Sequence, residues 1–206
     1  MNPIISIWKQ PKKTVQYMID HKSMRYALVL VLLAAFSSGI MNLADTGFLE
    51  SLSLPAILTI SIVSVLLLSV PAWYINALIY TWIGKLLGGT GDWRKMCQVV
   101  AAGMIPAIWT MPVGIIAVII YGKALFATPP GVFEITNMSI GFYLLHTIIL
   151  VGSGIFSTVI LSKGIGLVHN FSAWRGFGTV MIFVGMLLVF LFFIGIVVVF
   201  SILQFF

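Results

Sequence analysis

Long apolar runs separated by short polar interruptions set the pattern of this chain. "LVLVLLAAF" at 28–36, "IVSVLLLSV" at 62–70 and "MIFVGMLLVFLFFIGIVVVF" at 181–200 carry apolar residues on every side. A helix in a water-soluble fold keeps a polar face opposite its apolar stripe, so runs of this kind belong in lipid or in a large core. Five stretches, near 26–44, 55–83, 97–122, 138–162 and 178–204, are each long enough to cross about 30 Å of hydrocarbon. Backbone amides cannot stay unpaired in lipid, and the runs lack the two-residue alternation of a barrel strand, so all five are expected to be helices. The fold class this predicts is all-α: a polytopic membrane helix bundle with five transmembrane helices. Residues 1–25 form an amino-terminal segment ahead of a transmembrane domain at 26–206.

Composition agrees with this. The 206 residues are 61% hydrophobic and 8% charged, against roughly 25% charged for an ordinary soluble domain. A single cysteine, Cys97, allows no intrachain disulfide and no cysteine cluster for zinc, and no metal ligand set or cofactor is expected. The net charge of +6 is distributed by side of the membrane. With the amino terminus inside, the inner segments hold Lys9, Lys12, Lys13, Lys22, Arg25, Lys85, Arg94, Lys95, Lys163 and Arg175, ten of the eleven basic residues. The outer loops keep Lys123 with Asp45, Glu50 and Glu134. The positive-inside rule then predicts a cytoplasmic amino terminus and an extracytoplasmic carboxyl terminus. This pattern explains the charge by topology and not by nucleic acid, for which no base-reading element is visible.

The first span exceeds the 7–15 residues of a signal-peptide core and is expected to be retained. Ahead of it, Ile4, Ile7 and Trp8, then Val15, Met18 and Ile19, recur at helical spacing. They predict one or two short amphipathic helices in the inner interface, with Trp8 and Tyr17 at headgroup level and lysines toward anionic lipid. A solvated basic tail is the other reading of the same residues. The second span, at about 44 Å, must tilt, bend or project. Pro71 within it, and Pro106 and Pro112 within the third, are expected to kink and break two adjacent helices near mid-membrane.

The Gly-rich stretch "GKLLGGTGDWRKM" at 84–96 lacks the order of a phosphate loop, because Lys85 precedes Gly88, Gly89 and Gly91 and no strand comes first. It reads as a hairpin turn, with Gly88 and Gly89 stopping one helix and Asp92 capping the next. "KGIGLVHNFSAWRGFG" at 163–178 repeats the design, Lys163, Gly164, Gly166, Trp174 and Arg175 standing for Lys85, Gly88, Trp93 and Arg94. The two hairpins read either as parallel repeats or as two similar interfacial loops, because tryptophan beside a basic residue is common at membrane surfaces.

Pro11 to Thr14 ("PKKT"), "WIGKLLGGTGDWRKMCQVVAAGMIP" from Trp82 to Pro106, and five spans with an inner amino terminus together resemble the bacterial, YknW-like branch of the Yip-domain family. The resemblance covers most of the chain. The Asp-Leu-Tyr-Gly-Pro motif of eukaryotic members is absent, so their Golgi role is not carried over. What the resemblance implies is an accessory role beside ABC exporters that protect cells from peptide toxins, in a multi-pass protein of the cell membrane.

Chemistry is sparse. His146, within span four, is open to a packing role or to contact with a proton or substrate. Asn76 and Tyr74, beyond Pro71, either satisfy freed carbonyls or line a cavity. No nucleophile with an oriented base, H-E-x-x-H or G-x-S-x-G occurs, which predicts a protein that is not an enzyme. Small residues at Ser153 and Ser157, Gly103 and Ala107, Gly152 and Gly154, and Ala34 and Ser38 offer close helix approach, within the bundle or to another subunit.

The expectation is an accessory or assembly protein that associates with membrane lipids and another integral membrane protein, such as transporter subunits, or with its own copies. Lys12, Lys13, Lys85, Trp93, Arg94, Lys95, Trp174 and Arg175 are the expected contact residues. The alternative is a small transporter or lipid-handling protein with a path along spans two and three; a lipid-organising scaffold is a third class. The topology is checked by a reporter fused after Phe206, expected to be active only outside an intact cell.

Overall fold

The computed structural model describes residues 1–131 and 134–203. Gln204, the end of the fifth expected span, lies outside them, as do the remaining residues to Phe206. Among the described residues nine α-helices run α1 (Pro3–Ser6), α2 (Pro11–His21), α3 (Met24–Met41), α4 (Leu54–Leu86), α5 (Trp93–Gly103), α6 (Ile105–Ile108), α7 (Met111–Tyr121), α8 (Ile140–His169) and α9 (Ala173–Leu203), with one 3₁₀ turn at Gly122–Phe126. Five stretches of the described residues are long and apolar enough to cross a membrane: Met24–Met41, Leu54–Leu86, Trp93–Phe126, Ile140–His169 and Ala173–Ser201.

Helix α4 has 33 residues and α8 has 30, about 50 and 45 Å at 1.5 Å per residue. Both exceed the hydrocarbon thickness, and the excess is used at one end of the bundle. There α2, the start of α5 and the ends of α4 and α8 enclose a core of fully buried Ile7, Val15, Met18, Met96, Val99 and Ile165. The same end carries the turns with Lys22, Lys85, Arg94 and Arg175, and is called here the basic pole.

The amino-terminal segment packs on this end of the bundle. It does form two short helices, and Lys12 and Lys13 are exposed. Its apolar side, however, meets protein: Val15 seats beside Gly164 of α8 and Val99 of α5. Trp8 stacks on Phe156 at 4.8 Å between ring centroids, and the Trp109 indole N–H donates to the Ile4 carbonyl at 3.3 Å. The segment is a wedge between the third and fourth spans.

The prolines act unequally. Helix α4 continues through Pro71 as one helix, contrary to the expected break. A proline forfeits one bond of the ladder, and α4 is held on both sides of it. The Ser61 hydroxyl donates to the Gly39 carbonyl of α3, and the Trp73 indole N–H donates to the Cys97 carbonyl at 2.8 Å. In the third span Pro106 and Pro112 stand six residues apart, each in the first turn of a new helix, α6 and α7. After the four-residue α6 the Ala107 carbonyl accepts from the Thr110 backbone N–H at 3.2 Å, and also from the hydroxyls of Ser37 of α3 at 2.7 Å and Thr110 at 2.8 Å. Hydroxyls re-satisfying a broken ladder in this way are what lipid requires.

At the opposite pole a smaller cluster of Ile57, Ala117, Leu125, Phe126 and Met138 sits under the loops. Asp45 ties them together. Its carboxylate accepts from the Thr136 hydroxyl at 2.8 Å, the Asn137 backbone N–H at 2.7 Å and the Asn137 amide at 3.1 Å, while its own N–H donates to the Leu125 carbonyl. Between the poles packing thins out. Beyond Phe183, α9 is exposed on every side through Ser201.

Hydrogen bonds to a charged acceptor contribute about 1.5–3 kcal/mol each, and their losses are not additive. Asp45→Ala is expected to lower stability by about 2–3 kcal/mol, read as a lower melting temperature in detergent. Asp45→Asn, which keeps an acceptor oxygen, should lose less.

Candidate functional site

The hairpin turns at the basic pole are built alike. Helix α4 ends with Gly88 at φ +84°, the Gly89 N–H donating to the Gly84 carbonyl at 2.9 Å and the Gly88 N–H to Lys85 at 3.0 Å. Helix α8 ends with Asn170 at φ +57°, the Phe171 N–H donating to the Gly166 carbonyl at 3.0 Å. Both carry the six-to-one bond of a left-handed helix stop, which favours glycine or asparagine. Asp92 then caps α5 through the Arg94 and Lys95 N–H groups, and Ser172 accepts from the Arg175 N–H. The geometry pairs Gly84 with Gly166 and Gly88 with Asn170, which shifts the register read from the two lysines. Beyond the turns the likeness stops, since the third span is broken twice and α9 is continuous.

The two turns also grip each other through His169, a residue the sequence pattern does not single out. Its ring is buried at 2% exposure among Gly84, Gly89 and Gly91. A Cβ on Gly91 would stand 2.7 Å from the ring, and one on Gly84 or Gly89 would overlap it. The Gly91 N–H donates to His169 Nδ1 at 3.0 Å, Phe171 stacks on the ring, and Asn170 donates to the Thr90 hydroxyl at 3.2 Å. Because Nδ1 accepts, this arrangement holds the neutral imidazole with its proton on Nε2. "GGTG" is thus a histidine socket, whose signal is legible only once the second turn is placed against it.

Around this socket lie the expected contact residues. Lys12, Lys13, Lys85, Trp93, Arg94, Lys95, Trp174 and Arg175 are all exposed at the basic pole. The Arg94 guanidinium lies over the Trp93 ring at 5.7 Å from its centroid, and Trp174, the most exposed tryptophan at 81%, stands edge-on to Phe177. Tryptophan beside fixed cations suits the headgroup level of a bilayer.

Asn76 and His146 line two neighbouring cavities inside the spans. One, of about 500 Å³, lies between α3, α4 and α5 and includes Ser38, Asn42, Ser69 and Asn76. The other, of about 360 Å³, lies between α3, the α6–α7 break and α8, and includes Ser38, Asn42, His146, Ser153 and Ser157. Asn76 bonds the Ala72 carbonyl one turn back at 2.7 Å, not the Leu67 carbonyl that Pro71 frees, so of its two roles it takes the cavity-lining one. Tyr74 instead packs against Trp73 and Trp93. Among the small residues, Gly103 seats Leu161 of α8, whereas Gly152 and Gly154 have open space beside them, Gly154 at the lining of the second cavity. Among the described residues no group of three or more metal-ligating side chains is gathered.

A family model described as the Yip1 domain matches residues 5–196. No curated protein and no solved structure gives a match.

The socket is tested by a double-substitution cycle. Gly89→Ala alone overpacks the ring and should cost about 1–3 kcal/mol. Combined with His169→Ala it should cost much less than the sum of the two single changes, because the clashing ring is gone. Additive melting shifts would refute the contact.

Proposed function

Starting from a chain that belongs to the Yip1-domain family, we propose a non-enzymatic accessory protein of the cell membrane that assembles with another integral membrane complex. The reading places the basic pole in the cytoplasm, in keeping with the positive-inside rule. Its more specific form, drawn from the likeness to YknW-like bacterial members, is partnership with an ABC-type exporter in resistance to toxins or antimicrobial peptides.

The observation that carries the reading is the contrast in packing along the bundle. Helices are knotted together at the basic pole, while the outer half of α8 exposes one apolar face and α9 from Val184 to Phe200 presents apolar surface on every side. Lipid can solvate that surface, and so can the helices of a partner, since in hydrocarbon association is decided by close packing and hydrogen bonds and not by burial from water. The exposed cations and tryptophans at the basic pole supply orientation beside it.

The adjoining cavities with Asn76 and His146 favour one second reading, a small transporter or lipid-handling protein. Polar groups at bilayer depth are expensive and mark pathways in many membrane proteins.

Purification in mild detergent separates the two readings. A stoichiometric copurifying transporter subunit, lost when Lys85, Arg94 and Lys95 are replaced by alanine, is expected for the accessory role. Substrate flux in liposomes holding this chain alone, abolished in His146→Ala, would overturn it.

A further inference from the structure

The cavity beside His146 contains more hydrogen-bonding capacity than the fold uses. Ser37 and Thr110 at its back wall are engaged with the Ala107 carbonyl. The side chains of Ser38, Asn42, His146, Ser153 and Ser157 make no hydrogen bond to any described residue, although Thr158 and Ser162 on the same helix bond back to their own backbone. In water this would mean nothing. At bilayer depth each unmet polar group is costly.

The depth follows from the helices. Gly114 of α7 packs on Ile40 and Met41 of α3, about 10 Å in from the end of α7 at 1.5 Å per residue. Ser153 lies about 20 Å along α8 from Ile140 by the same measure. The cleft thus runs inward from Asn42, at the end of α3, along α8 to Ser157, about 26 Å from Ile140.

The lining also restricts what fits. It holds an imidazole, an amide and hydroxyls but no cation or carboxylate, so it offers nothing to neutralise a phosphate or an ammonium group. Its shape follows α8 along His146, Leu150, Ser153 and Ser157, a helical succession on one face. The exposed part of this chain's own α9 is no match, because from Val184 to Phe200 it carries only apolar residues and glycine. A second copy meeting the first cleft to cleft would set hollow against hollow.

The geometry points to a docking groove, between α3, the α6–α7 break and α8, for a partner's transmembrane helix bearing a neutral polar side chain such as Asn or Gln. The inference rests on the accessory reading and deepens it by naming the membrane-embedded contact. The partner's amide would bond Asn42 and His146 in lipid, and the serines would admit its backbone closely.

The test uses the full chain in phosphatidylcholine vesicles at low peptide density, with fluorophore-labelled model helices of about 20 leucine-rich residues. One peptide carries a central Asn and its twin carries Leu. Energy transfer is expected to show about tenfold tighter association of the Asn peptide. That preference should vanish in Asn42→Leu combined with His146→Leu, and also in Ser157→Leu, which fills the groove without touching either group. It should persist in Ile148→Ala, on the outer face of α8. Melting of each variant is measured first, and the Ser157→Leu arm decides if the double variant does not fold. Equal association of the two peptides, or a preference that survives groove filling, overturns the inference. If either occurs while a transporter subunit still copurifies, the groove fails and the accessory role stands; if the peptide preference holds and no subunit copurifies, it is the accessory role that fails.

Discussion

Helices longer than the bilayer is thick govern this fold. Helix α4, at about 50 Å, cannot be hidden in about 30 Å of hydrocarbon, and its surplus turns must be covered by something other than lipid tails. The chain covers them with itself. The first turns of α5 and the last turns of α8 lie against the end of α4, and the amino-terminal wedge fills the space between α5 and α8, so the best-packed part of this membrane protein lies at one pole. The histidine socket is the fastening of that pole, joining the two turns whose helices project furthest.

Much of this was legible in the sequence, for a simple reason. Apolar runs with no polar face have one stable solvent, and backbone hydrogen bonding in that solvent allows one local structure. The five spans followed. Where reading stopped, periodicity gave a face but not its partner. Ile7, Val15 and Met18 declare an apolar side equally well to lipid and to protein, and the small surface of Gly164 that receives Val15 is visible only in three dimensions. At Pro71 the helix is not interrupted, because a proline's effect depends on what holds the helix to either side.

The candidate site was legible in part. The exposed cations and tryptophans are where charge and interfacial preference put them, and His146 stood out as an ionisable group in an apolar run. His169 did not stand out, because the glycines that need it are some eighty residues away. The cavity beside His146 was equally hidden: Ser37 and Ser38 are adjacent in sequence, yet one closes a broken ladder and the other opens onto empty space. Only the break at Pro106 and Pro112 hinted at it, since interrupted helices in membranes tend to border sites.

From Val184 to Ser201 every residue of helix α9 is exposed. A side chain there answers to no neighbour, so exchange among Leu, Ile, Val and Phe leaves the rest of the molecule indifferent. Evolution can therefore rewrite this stretch letter by letter while keeping its oiliness, and related chains should drift apart fastest here, except along any line that a binding companion has come to recognise.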